Sequence, residues 1–172
     1  MKRPMLMSII VLTVICLIAS VVLAAVNFVT APVTAEAAEV KLQASLKAVL
    51  PDAAEFDELA LPEDAPDTVT GIWKDAGGSG YAVALSTTSS YSNSPMTFTV
   101  GIGADGTILG IEMTNYAETK DFGTYPKDNY PGKRAGEVAD VDVFAGVTYS
   151  SKAFRSAVED AFAVIETVEK GA

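Results

Sequence analysis

The sequence predicts an α+β protein in which one membrane-spanning helix at the N-terminus precedes an exported domain. Three observations support this class: an uncharged apolar stretch near the start, a β-rich middle, and an amphipathic helical pattern at the end. The 172 residues are enough for one domain of roughly 100–150 residues plus an extra element. The predicted division is 1–30 for the cytoplasmic N-terminus and transmembrane helix, 31–66 for a juxtamembrane helix and linker, and 67–172 for the exported domain.

The N-terminal apolar stretch is long enough to cross a membrane. Residues 4–35 contain no charged side chain, and residues 5–26 are almost wholly apolar, so this stretch can span a hydrocarbon core of about 30 Å. Lys2 and Arg3 precede it, and the positive-inside rule therefore places the N-terminus in the cytoplasm. The predicted location is the cell (inner) membrane, crossed once, with the C-terminal domain on the outer face.

A cleaved signal peptide is the alternative interpretation, because a basic start and an apolar run are common to both kinds of segment. The apolar region of a signal peptide usually has about 7–15 residues, and the one here is longer. Residues 22–24, Val-Leu-Ala, nevertheless fit a small-residue cleavage site. Ile15 precedes Cys16 where a lipoprotein signal has a small residue, which argues against lipidation. The length favours a retained anchor.

Composition excludes several kinds of site from the exported part. The exported part has no cysteine and the chain has no histidine, which excludes disulfides, His-ligated haem or zinc, Cys-ligated clusters and Ser-His-Asp catalysis. All 22 acidic residues lie after position 35 with 10 of the 12 basic residues, so this part has a net charge of −12. No nucleic-acid partner is expected for such a surface, and any redox or transfer chemistry must come from carboxylates, hydroxyls or a bound organic cofactor.

Helices are predicted at both ends of the exported part. Residues 36–50 place apolar side chains at helical spacing, and Pro51 ends that helix. Residues 151–170 form the last predicted helix. Its core positions, spaced three or four residues apart, are Phe154, Val158, Phe162, Ile165 and Val168.

The region between these helices is predicted to be rich in strands. Strands are expected at 68–74, 81–85, 98–102 and 108–113, the last two joined by a glycine-containing turn at 103–106. Residues 121–134 are rich in Tyr, Pro, Gly and charge, which is typical of a surface loop. Residues 138–144 alternate acidic and apolar side chains, which predicts a further strand.

A glycine and a cluster of hydroxyl side chains connect that last strand to the last helix. Gly146 lets the backbone turn sharply and leaves room for a bulky group. Thr148, Ser150 and Ser151 lie where helix N-caps belong. The unpaired amides and the positive dipole at a helix start attract an anionic phosphate, and a hydroxyl held there can be esterified to it.

Residues 142–148, Asp-Val-Phe-Ala-Gly-Val-Thr, resemble the flavinylation motif of the FMN-binding domain family. That family includes the G subunit of Rnf complexes and the C subunit of sodium-pumping NADH:quinone reductases. Its motif reads Asp, two residues, Ser or Thr, Gly, Ala, Thr, and the last threonine carries FMN through a phosphodiester bond. The resemblance implies that Thr148 is the acceptor, while Ala145 replaces Ser/Thr and Val147 replaces Ala. The other cofactor-binding residues that it implies around Thr148 are Gly146, Val147, Tyr149, Ser150 and Ser151.

Three more stretches are similar to the same family. Residues 101–111 resemble its Gly-Ile, Asp-Gly turn, Ile-Leu-Gly hairpin, and residues 46–56 resemble the juxtamembrane helix of Rnf G subunits. The family has a Glu-Thr-Pro-Gly-Leu-Gly loop near the flavin, and Glu118 and Thr119 match its first two residues. Tyr116, just before that loop, is either a ring that stacks on the isoalloxazine or a core residue.

The resemblance covers roughly residues 5–170 and implies an antiparallel half-barrel-like sheet packed with helices, the last of which starts at the flavin. It implies a redox subunit of an Rnf-type ion-translocating ferredoxin:NAD oxidoreductase that relays electrons through covalent FMN. The implied partners are the other membrane subunits of that complex and a flavin transferase for maturation. Two alternatives stay open: a stand-alone membrane-anchored flavoprotein of another electron-transfer chain, and a cofactor-free binding module.

Overall fold

The computed structural model describes residues 3–90, 94–116 and 122–171. The chain divides into two compact units, one up to Leu42 and the other from Gln43 onward. The helices are α1 Arg3–Val49, α2 Tyr125–Asn129 and α3 Thr148–Gly171, with a 3₁₀ helix at Ala135–Asp140. The strands are β1 Phe56–Leu59, β2 Val69–Asp75, β3 Gly80–Thr87, β4 Met96–Gly103 and β5 Ile108–Asn115. The predicted α+β class is therefore confirmed.

The first unit lies within α1 and contains the apolar stretch. Within the described residues, Ile9–Phe28 is the one 20-residue stretch that is long and apolar enough to cross a membrane, with a mean hydropathy of 3.2. None of this stretch is buried. By length and composition it is either a membrane anchor or a signal sequence.

The second unit is built on a five-stranded antiparallel sheet in which each strand pairs with the next one along the chain. The four predicted strands are all present: β2 is displaced by one residue from its predicted bounds, and β3, β4 and β5 are slightly longer than predicted. Strand β1 is not among the predicted ones. It pairs with the outer edge of β2, so the sheet already begins within the segment 31–66; the predicted domain division itself stays a prediction.

One face of the sheet carries the larger core and contacts α3 through β2 and β3. Helix α3 forms because apolar residues recur at three- and four-residue spacing and make one continuous stripe. Of its five predicted core residues, Phe154, Val158 and Ile165 are buried, while Phe162 and Val168 are half-buried against the same core. The predicted stripe is confirmed.

The other face of the sheet receives the end of α1 and has small residues on β3, β4 and β5. The strand register aligns one row across β2 to β5, which consists of Trp73, Ala82, Gly101 and Gly110. A Cβ atom added to Gly101 would lie 2.3 Å from the carbonyl oxygen of Val49, so the helix backbone rests directly on the sheet there. Leu46 and Leu50 are buried beside Val49, whereas Val40 is exposed, so the apolar spacing predicted for 36–50 is confirmed only at its end. The helix predicted there is not separate, because it is the last part of α1.

The prediction of a strand at 138–144 is wrong. The chain forms the 3₁₀ helix there and then an irregular segment up to α3. Val138 and Val141 are buried, whereas Asp142 and Val143 are exposed. The inward-facing spacing is thus three residues, which suits one 3₁₀ turn, rather than the two residues of a strand.

The prediction of a surface loop at 121–134 is only partly correct over the described residues 122–134, most of which are exposed or half-buried. Phe122 and Tyr130 are only 0% and 1% exposed, and the short helix α2 lies between them. The aromatic side chains of this segment therefore belong to the core next to α3 rather than to the surface.

Candidate functional site

A tight turn immediately precedes α3. The N–H of Val147 donates to the carbonyl oxygen of Phe144 over 3.0 Å, and Gly146 has a φ of 83° at the third position of this four-residue turn. A positive φ at that position alone is the signature of a type II turn, which glycine adopts without strain. Ala145 is exposed at the second position, so alanine in place of Ser or Thr is compatible with the turn.

Helix α3 begins at Thr148, three residues before the predicted start at position 151. Thr148 and Tyr149 are exposed, whereas Ser150 and Ser151 are buried. Thr148 is the first helical residue. The predicted cluster of capping hydroxyls is thus divided into an outward threonine and two inward serines.

Ser151 ties the turn to the helix. Its Oγ atom accepts a hydrogen bond from the N–H of Phe144 over 3.1 Å and donates one to the carbonyl oxygen of Val147 over 2.8 Å. The backbone N–H of Ser151 also donates to that carbonyl, at 2.9 Å. One buried hydroxyl therefore connects the first and the last residue of the turn.

Two further side chains hold the segment before the turn. The Arg155 guanidinium donates to the carbonyl oxygen of Val141, and the Tyr125 hydroxyl donates to that of Asp142 over 2.6 Å. Burial raises the pKa of Tyr130, while a hydrogen bond with Arg155 acts in the opposite direction. Segment 141–147 is thus fixed from both α2 and α3.

A cluster of aromatic side chains packs at the start of the turn. The ring centroid of Phe144 lies 5.1 Å from that of Tyr125 and 6.1 Å from that of Phe122. The Tyr116 ring lies 5.9 Å from Phe122, and Tyr116 is half-buried. Tyr116 therefore belongs to the same aromatic cluster as the turn and contributes to its packing.

The structure brings most of the predicted site residues together but leaves two undescribed. Gly146, Val147, Thr148, Tyr149, Ser150 and Ser151 follow one another through the turn into α3. Val147 is only 7% exposed and belongs to the core, so valine in place of alanine adds apolar surface there. Glu118 and Thr119 lie outside the described residues.

Sequence reasoning does not identify Tyr125 or Arg155 as part of the site. Arg155 lies four residues after Ser151, on the same helix face, and that spacing is the signal that could have identified it. Tyr125 has no comparable signal, because its contact with Asp142 depends on how α2 packs.

The start of α3 suits a phosphate ester on Thr148. The hydroxyl is exposed, and the flanking Ala145 and Gly146 are exposed as well, so a bulky substituent has room on the solvent side. The backbone amides of a first helical turn have no intrahelical acceptor, and the helix dipole is positive there. The residues present therefore fit a nucleotide phosphate attached at this position.

Residues 92–163 match the family model described as the FMN-binding domain. The match begins just before β4 and ends within α3, so it includes the turn and Thr148. A search of the curated proteins found no match. FMN is the cofactor that this match implies, in a flavin-bearing electron-transfer module. The part of the chain that holds the candidate site is therefore similar to FMN-binding domains.

Proposed function

We propose that Thr148 carries FMN through a phosphodiester bond and that the domain relays electrons through this flavin. One observation carries the proposal: the exposed hydroxyl of Thr148 stands at the first residue of α3, within the region that matches the FMN-binding domain. The turn before it is held by side chains of α2 and α3. The acceptor is thus accessible while its backbone is fixed.

Attachment at Thr148 is a group transfer in which nothing is oxidised or reduced. The Thr148 Oγ atom forms a bond to the flavin phosphorus, while the anhydride bond of a flavin dinucleotide donor breaks. A nucleoside monophosphate leaves, and the hydroxyl proton is released to a base or to water. A flavin transferase is the partner that this step requires, and the exposed turn provides access for it.

The chain itself supplies position and electrostatics, while FMN supplies the redox chemistry when bound. The amides of the first turn of α3 favour the phosphate charge. The covalent link prevents the cofactor from diffusing away outside the membrane. The net charge of −12 after position 35 makes it harder to add negative charge to the flavin, so we expect a lowered reduction potential.

We further propose that the chain is the electron-transfer subunit of an Rnf-type ion-translocating ferredoxin:NAD oxidoreductase. The unburied stretch Ile9–Phe28 supports a membrane anchor, with the domain on the outer face. The hairpin at 101–111 and the helix end at 46–56 support the same assignment through their resemblance to that subunit. The partners are then the other membrane subunits of the complex.

Purification of the tagged full chain from membranes in mild detergent tests this assignment. We expect other membrane subunits and ferredoxin-dependent NAD reduction to co-purify with the wild-type chain and with the control Thr167→Ala, which changes an α3 residue far from the turn. Thr148→Ala should retain the subunits and lose most of the electron transfer. Electron transfer that stays complete in Thr148→Ala would contradict the relay, and a flavinylated chain purified alone would indicate a stand-alone flavoprotein.

A further inference from the structure

We propose that Ser151 is a positioning residue for the flavin-accepting hydroxyl of Thr148 and acts through the turn at 144–147. This inference rests on the proposed attachment of FMN to Thr148. It assigns to Ser151 a contact with the chain's own backbone, and not with the flavin. The juxtaposition that carries it is one buried hydroxyl placed between the two ends of the turn.

The hydroxyl of Ser151 makes one donated and one accepted hydrogen bond, and both reach the turn. The accepted bond comes from the N–H of Phe144 over 3.1 Å, seven residues earlier in the chain. The donated bond goes to the carbonyl of Val147 over 2.8 Å. Ser151 is only 2% exposed, so water cannot readily replace it as a partner for the N–H of Phe144.

A second hydroxyl on α3, that of Thr167, makes the backward bond without such a bridge. Thr167 donates to the carbonyl of Ala163 over 3.1 Å, which is the common bond to the residue four positions earlier. Among the described residues, Thr167 makes no second side-chain hydrogen bond. Ser151 makes the same backward bond and adds the bridge to Phe144.

The bridge matters because Thr148 directly follows the turn. Without the Ser151 hydroxyl, the turn retains its own Phe144–Val147 bond of 3.0 Å, and Gly146 is permissive enough to adopt other backbone conformations. The fraction of chains that present Thr148 in its native position would fall. The apparent affinity of a flavin transferase for the chain falls by that fraction, whereas the transfer step in the bound complex is unaffected.

The test measures flavin transfer to the purified full chain in detergent micelles, with a flavin transferase and FAD as the donor. Initial rates are read from the fluorescence of the denatured protein over a range of chain concentrations. The variants are Ser151→Ala and Ser151→Thr, with Thr167→Ala and Val164→Ala as controls. Val164 is 2% exposed on α3, so its truncation lowers global stability without removing the bridge.

We expect Ser151→Ala to raise KM for the chain on the order of tenfold with kcat nearly unchanged. A tenfold change corresponds to about 1.4 kcal/mol at 25 °C, which is the size of one or two hydrogen bonds. Ser151→Thr should restore KM because it retains the hydroxyl. Thr167→Ala and Val164→Ala should keep the wild-type KM. Hydrogen exchange in the peptide 141–149 should accelerate only in Ser151→Ala.

Three outcomes would overturn the inference while leaving the attachment at Thr148 intact: an unchanged KM in Ser151→Ala, a matching rise of KM in Val164→Ala, or no restoration by Ser151→Thr. Each of these outcomes can be interpreted only if the wild-type band is fluorescent. A wild-type band without fluorescence would have a different meaning. It would show that Thr148 accepts no flavin, and it would overturn this inference together with the proposed function. Hydrogen exchange provides a readout even if Ser151→Ala accumulates poorly, since it needs only the folded fraction.

Discussion

The two faces of the sheet are packed by opposite means. Towards α3 the sheet presents large side chains, and the Phe98 and Phe154 rings stack with centroids 4.1 Å apart. Towards the end of α1 it presents Gly101 and Gly110, and the helix backbone lies directly on the strands. One face gains stability by burying large surfaces, and the other by letting two backbones approach closely.

The difference explains where the candidate site lies. The α3 face continues beyond the sheet as an aromatic cluster, which passes through Phe122 to Phe144 at the start of the turn. The turn before Thr148 is therefore supported by the large core. The α1 face ends in a close backbone contact at Val49, which supports the opposite side of the sheet. We therefore expect substitutions on the two faces to destabilise the domain for different reasons.

The largest loss of stability is expected from truncation of the large core. Phe154→Ala removes a fully buried ring that stacks on Phe98 and lies edge-on to Phe122 and Tyr130. Such a substitution lowers the free energy of unfolding by about 3–5 kcal/mol. Phe162→Ala, on the same helix but half-buried, should cost clearly less. Thermal unfolding of both variants in detergent measures the difference, and equal losses would contradict a core centred on Phe154.

On the opposite face of the sheet, we expect stability to be lost when atoms are added rather than when they are removed. A methyl group on Gly101 would meet the Val49 carbonyl oxygen at 2.3 Å, whereas one on Gly110 would lie 3.3 Å from the Val49 Cα. We expect Gly101→Ala to lower the free energy of unfolding by about 1–3 kcal/mol and Gly110→Ala to have a smaller effect. Denaturant titration tests the order, and a more damaging Gly110→Ala would contradict the close contact at Gly101.

A smaller loss of stability is expected from Gly146→Ala in the turn before α3. Gly146 has a φ of 83°, and an L side chain in that conformation costs about 1–2 kcal/mol. Gly136→Ala is the matched control, because its φ is not positive and a Cβ there would contact nothing within 4 Å. Gly146→Ala should also slow flavin transfer, since the turn precedes Thr148. Equal stability of the two variants would contradict a positive φ at position 146.

The last expected effect is a pH dependence of stability at the end of β2. The nearby Ser79 hydroxyl, together with the Ser79 backbone amide that donates to the carboxylate over 2.9 Å, lowers the pKa of Asp75 from 3.8 to about 2. A depressed pKa in the folded state adds stability above the ordinary pKa and loses it as pH falls. The stability difference between wild type and Asp75→Asn should therefore be constant at neutral pH and shrink between about pH 4 and pH 2. A difference that stays constant down to pH 2 would contradict the assignment.

Much of the fold can be predicted from local sequence patterns. The stripe of α3 repeats every three or four residues, and the hairpin between β4 and β5 carries its turn glycines, so both are predictable. The predictions for 138–144 and 121–134 were wrong, the second of them in part, because each sequence pattern is compatible with two structures. Val138 and Val141 belong to an alternating run, yet they also have the three-residue spacing of a 3₁₀ turn. Phe122 and Tyr130 stand among Pro and Gly, and only tertiary packing buries them.

The sequence indicates which residue to propose as the flavin acceptor, but it does not indicate the contacts that support that residue. Residues 142–148 identify Thr148 through their resemblance to the flavinylation motif, and the structure places this residue, exposed, at the start of α3. The resemblance places Ser151 among the cofactor-binding residues, which stays a prediction, and it gives no sign of the hydrogen bonds of Ser151 to the backbone of Phe144 and Val147. Those contacts depend on where α3 begins, and no spacing in the sequence fixes that residue.

In-gel fluorescence of the denatured full chain, co-expressed with a flavin transferase, tests the central claim most directly. Wild type, Thr148→Ala and the control Thr167→Ala are compared at equal loading. The proposed attachment predicts fluorescence that survives denaturation in wild type and Thr167→Ala and disappears in Thr148→Ala. A dark wild-type band, or a Thr148→Ala band as bright as wild type, would contradict covalent FMN at Thr148.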